Sequence, residues 1–387
     1  MSDSASELKQ KGSAVVYGLS SEGYEIASKL AAKGHNVSIV DEMLGTAMEL
    51  RPEIAGDYRE LRSLLADEVL MQIKSLKECI SSAQVVFFAP KLRKRDADIV
   101  SEVRTRLSDV SKNLSSDSVF LFCLPVGFNG TKDVIERIEH SSGLVNGRDF
   151  FFAYTPLDSE RPSVFGSDAK ELPHFGIIEA AGFSMERMSL SKAELVHAQR
   201  IVAKFSSLAS AFETARRLTQ IGSESPREYK QIFAEDLNSN LYDLELILDS
   251  LDTGDPILYL ASGSNKSIGS YSRFLLERVR EFVKARELKA SRLKIILFTD
   301  TDSLAMRGDK LSFATELVER LRDYFSDIEY LNIMKEGFTP PIGLDKTHLL
   351  IFLSGGAELK LMQLYEEQIS MSRSHMIRAN LPVEFVS

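Results

Sequence analysis

The sequence is poor in the residue types that most often mark redox chemistry or metal binding. It has 387 residues, no tryptophan, six histidines and two cysteines, Cys79 and Cys123. Both thiols stand in apolar surroundings, which excludes a disulfide framework and favours a reducing compartment. The histidines are scattered without the ligand spacing of a metal centre. We therefore predict no structural disulfide and no metal site.

A long apolar run and an excess of basic charge are also missing. Residues 119–128 form the longest near-apolar run, which contains Pro125 and is too short to cross a bilayer. The first twelve residues are polar and have no apolar signal core, so we predict a flexible tail at 1–12. A net charge of -9 disfavours nucleic acid and anionic membrane surfaces as partners. We expect a cytoplasmic protein.

What the sequence does contain is an alternation between short apolar runs and helical patterns. Runs rich in β-branched and aromatic residues predict strands at 15–17, 37–40, 85–89, 119–123 and 150–154, with helices between them at 22–33, 58–80, 96–113 and 132–141. Such alternation is typical of a parallel sheet with helices on both faces. A Pro-, Gly- and Ser-rich connector follows, with a further predicted strand at 175–179. Together these segments predict a first domain at 13–185.

The α/β pattern returns after a helical middle. Helices are predicted at 192–218, 226–251 and 271–288, with a loop at 251–264, and the last part has predicted strands at 294–299, 328–331 and 348–353 and predicted helices at 311–324 and 358–371. The apolar stripe from Ile232 to Leu248 predicts either a dimer interface or the core of the middle region. The predicted fold class is α/β, with an N-terminal Rossmann-like dinucleotide-binding domain, a central helical domain at 186–290 and a C-terminal Rossmann-like α/β domain at 291–387.

Residues 15–42, VVYGLSSEGYEIASKLAAKGHNVSIVDE, have the strand–turn–helix–strand pattern of a dinucleotide-binding unit. Gly18 and Gly23 match the first and third glycines of G-x-G-x-x-G, and Ser20 stands at the second. Asp41 ends the second strand, where a carboxylate accepts from the adenosine ribose, so NAD is predicted rather than NADP. The Ser20 side chain would either crowd a pyrophosphate or donate a hydrogen bond to it. The alternative is a tight turn without a ligand.

Further segments occur in the order found in one enzyme family. They are SSAQVVFFAP at 81–90, VFLFCLPVGFNGTKDVIERI at 119–138, GLVNGRDFFFAYTPL at 143–157 and RLKIILFTDTDSLAMRGDKLSFATELVERL at 292–321. With the glycine turn, they resemble the UDP-glucose/GDP-mannose dehydrogenase family over nearly the whole chain. The resemblance implies that Ala89 and Pro90 line the cofactor site. It also implies that the protein is a homodimer and that its ligands are NAD and a nucleotide-sugar. Arg307 is then a substrate-binding candidate, with a surface arginine as the alternative.

The resemblance also implies oxidation of a sugar alcohol to the acid through a thioester on a catalytic cysteine. The matching segment, LDTGDPILYLASGS at 251–264, has no cysteine, and the glutamate of the family's Y-S-P-E motif falls on Leu157. The remaining catalytic candidates are Cys123, Lys230 and Asp255. As alternatives, Cys123 would be a small buried apolar group and Lys230 a residue of a solvated helix face.

Two hypotheses about function follow. In the first, the chain is a divergent nucleotide-sugar dehydrogenase-like protein without the full four-electron oxidation, which binds NAD, a nucleotide-sugar, both or neither. In the second, it is an active NAD-dependent UDP-glucose/GDP-mannose-type 6-dehydrogenase. The missing thiol and the missing glutamate favour the first hypothesis, because function must be argued from the site rather than from the fold.

Overall fold

The computed structural model describes residues 12–41, 45–50, 73–92, 99–157, 164–183, 187–302, 304–335, 337–343 and 345–386. The predicted tail up to residue 11, residues 58–72 of one predicted helix and residues 96–98 of another lie outside these ranges. The chain divides into two units, Met1–His197 with Leu304–Met306, and Ala198–Ser303 with Arg307–Ser387. Within the described ranges, each unit contains one β-sheet.

The sheet of the first unit has nine strands in the described residues. They are β1 (Ser13–Tyr17), β2 (Asn36–Asp41), β3 (Thr46–Leu50), β4 (Ile73–Ser75), β5 (Val85–Phe88), β6 (Val119–Phe122), β7 (Phe151–Tyr154), β8 (Phe165–Gly166) and β9 (Arg187–Met188). Their order is β4-β3-β2-β1-β5-β6-β7-β8-β9, and the strands from β2 to β7 in this order run parallel. VVFF in β5 and VFLF in β6 are buried at every position, as expected for central strands with both faces covered.

The helices of the first unit correct two predictions. They are α1 (Ser21–Ala32), α2 (Leu76–Ser81), α3 (Ile99–Ser111), α4 (Gly130–Ser142), α5 (Phe175–Ala180) and the first turns of α6 (Leu190–Gln220). The predicted strand at 175–179 was wrong, because the short apolar run fits either element and its adjacent Ile177 and Ile178 are both buried in a helix. The predicted helix at 58–80 was wrong at 73–75, which form β4. Helix α2 starts where Ser75 and Glu78 make reciprocal capping hydrogen bonds.

The predicted helix at 226–251 is broken into a 3-10 turn (Tyr229–Gln231), α7 (Ala234–Asn238) and α8 (Leu241–Asp249). The chain is extended at Phe233 because the Ala234 N–H donates to the Ala379 carbonyl at 2.8 Å, a bond that a continuous helix would not allow. A second break follows at Asn240, which has a left-handed φ of 68°. The Leu237 and Leu244 side chains of the predicted stripe are fully buried in the second unit.

The loop predicted at 251–264 was also wrong, because Pro256–Gly269 form helix α9. Asp255 caps this helix by accepting from the Ile257 N–H at 2.8 Å, and Pro256 takes the first helical position, where its missing N–H costs nothing. Helix α10 (Tyr271–Ala285) follows directly, and its buried face includes Leu275 and Val279.

The sheet of the second unit has five strands in the described residues. They are β10 (Leu293–Thr299), β11 (Ile328–Asn332), β12 (Thr347–Phe352), β13 (Ser374–Arg378) and β14 (Glu384–Val386), in the order β11-β10-β12-β13-β14. The first four in this order run parallel, and β14 pairs antiparallel with β13. Helices α11 (Asp309–Arg322) and α12 (Gly355–Met371) follow β10 and β12. Phe298 and Phe352 stack at 5.5 Å in the core between sheet and helices.

The two parallel sheets with their helices confirm the predicted α/β class. In each sheet the strand order reverses beside the first strand of that sheet, and open α/β sheets bind ligands at such a reversal, outside the carboxyl ends of the strands. We call the position at the ends of β1 and β5 the first crevice. The position at the ends of β10 and β12 is the second crevice.

Candidate functional site

The turn after β1 retains the geometry of both predicted glycines. Gly18 has a φ of +125°, which L-residues rarely adopt, and a Cβ there would overlap the backbone of Ala89 and Pro90. A Cβ at Gly23 would lie 2.5 Å from the Gly18 carbonyl oxygen, so this glycine lets α1 pack closely on the turn. The structure therefore brings five of the predicted cofactor residues together, which are Gly18, Ser20, Gly23, Ala89 and Pro90. Ala89 and Pro90 are buried against the turn.

Ser20 is the N-cap of α1, and its side chain is only 1% exposed. Its hydroxyl accepts from the Gly23 N–H at 3.0 Å and donates to the Ala89 carbonyl at 3.5 Å. The hydroxyl thus satisfies one of the N–H groups that a helix leaves open at its start. Ser20 neither points into the crevice nor offers its hydroxyl to a ligand there.

A peptide segment of the chain itself lies at the start of α1. We call this segment, Leu304–Met306, the strap. The Leu304 carbonyl accepts from the Ser21 N–H at 2.9 Å, and the Met306 N–H donates to the Glu22 carboxylate at 2.8 Å. The Met306 carbonyl accepts from the Leu92 N–H at 2.7 Å, and the Met306 side chain is fully buried. The strap therefore joins α1 to the segment after β5, across the first crevice.

The first crevice, folded in this way, does not fit the pyrophosphate of a dinucleotide. In a dinucleotide site, the N–H groups of the first helical turn point at the phosphates. Here the Ser21 N–H donates to the strap and the Gly23 N–H donates to the Ser20 hydroxyl. The Glu22 carboxylate adds a negative charge at the same helix end, which repels a phosphate.

Asp41 ends β2 as predicted. It pairs with Thr46 across the antiparallel β2–β3 ladder, and its carbonyl accepts from the Gly45 N–H at 2.9 Å. Strand β3 was not predicted, and it extends the sheet directly beyond the residue expected to contact a ribose. The contact between Asp41 and a ribose stays a prediction.

The backbone N–H groups at the start of α4, which follows β6, also have hydrogen-bond acceptors within the chain. The Glu194 carboxylate, from a residue that is 4% exposed, accepts from the Asn129 N–H at 3.1 Å and from the Thr131 N–H at 2.7 Å. The Asn129 side chain itself makes no capping bond. A buried carboxylate of α6 thus lies where the dipole of α4 would attract an external anion.

Cys123 lies in the core of the first unit with no exposed surface. Burial raises the pKa of the Cys123 thiol well above its ordinary value, with the Phe88 backbone opposing weakly. Only a thiolate is a good nucleophile, so this environment opposes a catalytic role. Leu157, at the position of the family's glutamate, is also buried, and its N–H donates to the Cys123 carbonyl at 3.0 Å.

Lys230 and Asp255 both have structural partners. The Lys230 Nζ lies 3.0 Å from the Glu384 carboxylate, and this hydrogen bond raises the pKa of the lysine, so it stays charged. Lys230 belongs to the 3-10 turn rather than to the helix face considered from the sequence. Asp255 is the N-cap of α9. The arrangement gives neither residue a nucleophile or a proton-transfer partner.

Arg307 forms a bidentate ion pair with Asp243, with both nitrogen–oxygen distances at 2.8 Å. The Asp243 side chain has no exposed surface and that of Arg307 is 11% exposed, so the surface-arginine alternative was wrong. Burial raises the pKa of the neighbouring Asp309 to about 7; Asp243 and Glu245 add to the shift, and Arg307 opposes it. Arg307 thus neutralises a buried cluster of carboxyl groups, and its planar fork is already matched to one of them.

The second crevice also contains an acidic group of the chain. The Ser354 hydroxyl donates to the Asp300 carboxylate at 2.5 Å and accepts from the Ala357 N–H at 3.0 Å. A Cβ at Gly356 would overlap the Asp300 carboxylate, which therefore lies directly against the first turn of α12. Glu235, which is 3% exposed, is hydrogen-bonded to the Thr299 hydroxyl, and burial raises the pKa of its carboxyl group.

Three general features of the described residues bear on function. Both cysteines are free and buried. Within the described ranges, no group of three or more His, Cys, Asp and Glu residues is placed to hold a metal ion. No helix in that part of the chain is long and apolar enough to cross a membrane.

The fold is similar to that of solved proteins named as dehydrogenases of nucleotide-sugars. A UDP-D-ManNAc dehydrogenase from Pyrococcus horikoshii is 15% identical with a TM-score of 0.65, and the match covers 96% of each chain. A UDP-glucose dehydrogenase from Pyrobaculum islandicum is 14% identical with a TM-score of 0.59, over 95% of this chain and 87% of the other. A UDP-N-acetyl-mannosamine dehydrogenase from Staphylococcus aureus is 15% identical with a TM-score of 0.58, over 89% and 88%.

These similarities show that the chain has the fold of the nucleotide-sugar dehydrogenases, which is the architecture that the sequence resemblance implied. No protein-family model and no curated protein matches the sequence. At such low identity the likeness extends to the fold, and the chemistry has to be argued from the residues.

Sequence reasoning missed two acidic residues of these sites, Asp243 and Glu194, and it connected Asp300 with Arg307 rather than with the second crevice. Glu194 lies more than sixty residues from the amides that it contacts, so no local pattern reveals the contact. Asp300 could have been found from its position, since it directly follows a predicted strand of a Rossmann-like sheet. The strap could not, because it is separated from Glu22 by 284 residues.

Proposed function

We propose that this chain is a non-catalytic nucleotide-sugar dehydrogenase-like protein, which retains the fold and has lost the four-electron oxidation. The observation that carries the proposal is the segment after α8. The family holds its catalytic thiol there, and this chain has instead a helix that starts at the Asp255 cap and Pro256. Without a thiol, the aldehyde-to-acid step has no thioester and therefore no covalent route.

The other matched positions support the same proposal. The family's glutamate is replaced by the buried Leu157, and Cys123 is a core thiol with a raised pKa. Arg307, the candidate for a sugar-nucleotide contact, is held by Asp243. Each of these side chains stabilises the fold, so none is left to bind substrate or to transfer a proton.

The alternative is an active NAD-dependent 6-dehydrogenase. It is supported by likeness to solved enzymes named for UDP-glucose and UDP-N-acetyl-mannosamine, over most of the chain. If it held, NAD and one of these nucleotide-sugars would be the ligands, and a residue other than those discussed would carry the chemistry.

One assay separates the two functions. Purified full-length protein is incubated with NAD and, in turn, UDP-glucose, UDP-N-acetyl-mannosamine and GDP-mannose, and NADH absorbance is followed. We expect no NADH above that of a protein-free blank. NADH formation that depends on both protein and sugar nucleotide overturns the proposal. A Cys123→Ser variant assigns any such activity, because activity that survives it cannot come from that thiol.

We further propose that the protein is a homodimer in the cytoplasm. Support for a second copy comes from α9, where Ile257 is 37% exposed and Leu260, one turn later on the same face, is 54% exposed, because neighbouring exposed apolar side chains mark interaction surfaces. Sedimentation of the wild type and of Leu260→Glu tests the dimer. We expect the variant to shift toward the monomer, and a wild type that sediments as a monomer contradicts the proposal.

A further inference from the structure

We propose that the strap, Leu304–Met306, is a built-in occupant of the first crevice that keeps the pyrophosphate of a dinucleotide out. The inference concerns binding, so it goes beyond the loss of chemistry proposed above and does not depend on it. It reconciles the retained glycine turn at Gly18 and Gly23 with the peptide segment that is bonded to the start of α1.

The first argument is that the strap takes the hydrogen bonds that a phosphate would need. A phosphate at a helix start accepts from the N–H groups of the first turn. The Leu304 carbonyl oxygen accepts from the Ser21 N–H at 2.9 Å, so a backbone carbonyl stands in for one phosphate oxygen. The Ser20 hydroxyl accepts from the Gly23 N–H, so two N–H groups of the first turn are satisfied without a ligand.

The second argument is that charge at this helix end favours the strap over an anion. The Glu22 carboxylate lies in the first turn of α1 and accepts from the Met306 N–H at 2.8 Å. An amide N–H stabilises that carboxylate, whereas a pyrophosphate in the same place would meet it as a like charge. Binding a dinucleotide would therefore require both displacement of the strap and burial of repelling charges.

The third argument is that the strap is anchored at both walls of the crevice. The Met306 carbonyl accepts from the N–H of Leu92, which follows β5, at 2.7 Å. The Met306 N–H donates to the Glu22 carboxylate of α1. The Met306 side chain is fully buried, which adds the free energy of removing a large apolar group from water. An occupant tethered in the same chain also acts at a high effective concentration against a free ligand.

The test weakens the strap and its charge together. In the double variant Glu22→Gln, Met306→Ala, the buried anchor and the repelling carboxylate are both removed. The matched control is Glu25→Gln, Met48→Ala, which removes another α1 carboxylate and another buried methionine of the first unit away from the strap. Full-length wild type, double variant and control are titrated calorimetrically with NAD and, separately, with inorganic pyrophosphate.

We expect the double variant to bind both probes at least about ten-fold more tightly than the wild type, and the control to remain like the wild type. Equal affinities of wild type and a folded double variant for both probes, with folding checked by circular dichroism, overturn the proposal. The single variant Glu22→Gln keeps the anchor, so it gives a smaller gain and remains usable if the double variant does not fold. NADH formation is not measured here, so failure of this test leaves the proposal about catalysis standing.

Hydrogen exchange gives an independent readout on the wild type. If the strap is seated, the Ser21 and Met306 amide hydrogens, which have carbonyl and carboxylate acceptors, exchange slowly. In Glu22→Gln, Met306→Ala the amide of residue 306 should exchange faster, while that of Val16 in β1 should not change. Unprotected exchange at both amides in the wild type would sink the proposal.

Discussion

A peptide segment lies across the first crevice, whereas in the second crevice the Asp300 carboxylate lies at the start of the helix. The strap makes backbone hydrogen bonds with Ser21 and Leu92, and its Met306 N–H donates to the Glu22 carboxylate. In the second, Asp300 reaches the first turn of α12 through Ser354. The difference shows that the open N–H groups at the start of a helix can be covered by a backbone segment or by a partly buried carboxylate.

The two solutions respond differently to change. The strap itself has no ionisable group, and its position depends on packing, on the conformation of nearby glycines and on its hydrogen bond to the Glu22 carboxylate. Buried carboxyl groups depend on their partners and on pH, because an uncompensated buried charge is costly. The predictions below test this contrast, beginning with the change in stability that should be largest.

Removing the Arg307 guanidinium, which pairs with a buried carboxylate of the second unit, should have the largest effect on stability. Arg307→Ala leaves the fully buried Asp243 without its bidentate partner, which should lower the free energy of unfolding by about 3–5 kcal/mol. Urea denaturation followed by circular dichroism measures the loss. The control is Arg320→Ala, which removes an exposed ion pair with Glu316 and should cost about 0.5 kcal/mol or less. Equal losses in the two variants would contradict the importance of burial here.

The second unit should also carry a pH dependence that comes from Asp309. Burial raises the pKa of Asp309 to about 7 in the folded protein, so the folded state holds a proton that the unfolded state releases. Stability should therefore fall as pH rises from about 4 to about 7, by roughly 2–4 kcal/mol, and then level off. Asp309→Asn should remove this fall.

Urea midpoints measured at several pH values across that window check the slope. The control is Asp323→Asn, which changes an exposed carboxyl group at the other end of the same helix, α11. A wild-type slope that persists in Asp309→Asn would show that another group titrates.

The glycine at the first crevice should be more sensitive than its counterpart at the second. Gly18→Ala puts a Cβ into the Ala89 backbone at a positive φ, which should cost about 3 kcal/mol. Gly34→Ala is the matched control, because its φ of +85° has open space around it, and it should cost only about 1 kcal/mol. Thermal and urea denaturation measure both.

Gly356→Ala completes this comparison. The atoms nearest to its Cβ would all belong to the Asp300 carboxylate, and a side chain can move where a backbone cannot. The loss should therefore shrink in an Asp300→Ala background, which a double-mutant cycle detects. A loss at Gly356 that is unchanged by Asp300→Ala would place the strain elsewhere.

The smallest effect on stability is expected for Asp300→Ala itself. It removes one hydrogen bond to the Ser354 hydroxyl, which should cost about 1 kcal/mol. Because it also uncovers the start of α12, the variant should bind inorganic phosphate with a dissociation constant on the order of millimolar. Phosphorus NMR line broadening measures the binding, with Asp302→Ala as the control. Absence of binding would mean that Asp300 is not what excludes phosphate.

The parts of the fold that could be predicted are those with a local signal. Continuous apolar runs such as VVFF and VFLF identify buried parallel strands, and the predicted segments correspond to β5 and β6. The helix after Asp255 also has a local signal for its start, an N-cap residue followed by proline. The loop predicted at 251–264 was wrong although this signal is present. The break at Phe233 had no such signal, because it depends on a hydrogen bond to Ala379, far along the chain.

The candidate site divides in the same way. The glycine turn at Gly18 and Gly23 follows from sequence spacing, and its strained φ and close packing are present. The segment that contacts this turn could not be predicted from the sequence spacing, because Met306 and Glu22 are far apart in the chain and come into contact only in the tertiary structure. From the sequence, Cys123 could be either a nucleophile or a core thiol. Its burial in the structure favours the core thiol.

A fragment of the first unit has to extend at least to Glu194 in order to keep the hydrogen bonds at the start of α4. A recombinant fragment that ends at residue 185, the predicted domain boundary, would keep α4 and lose the carboxylate that accepts from the Asn129 and Thr131 amides. A fragment that runs through His197 would retain it. The start of the long helix α6 is therefore a working part of the preceding sheet domain, and truncation studies need to treat it as such.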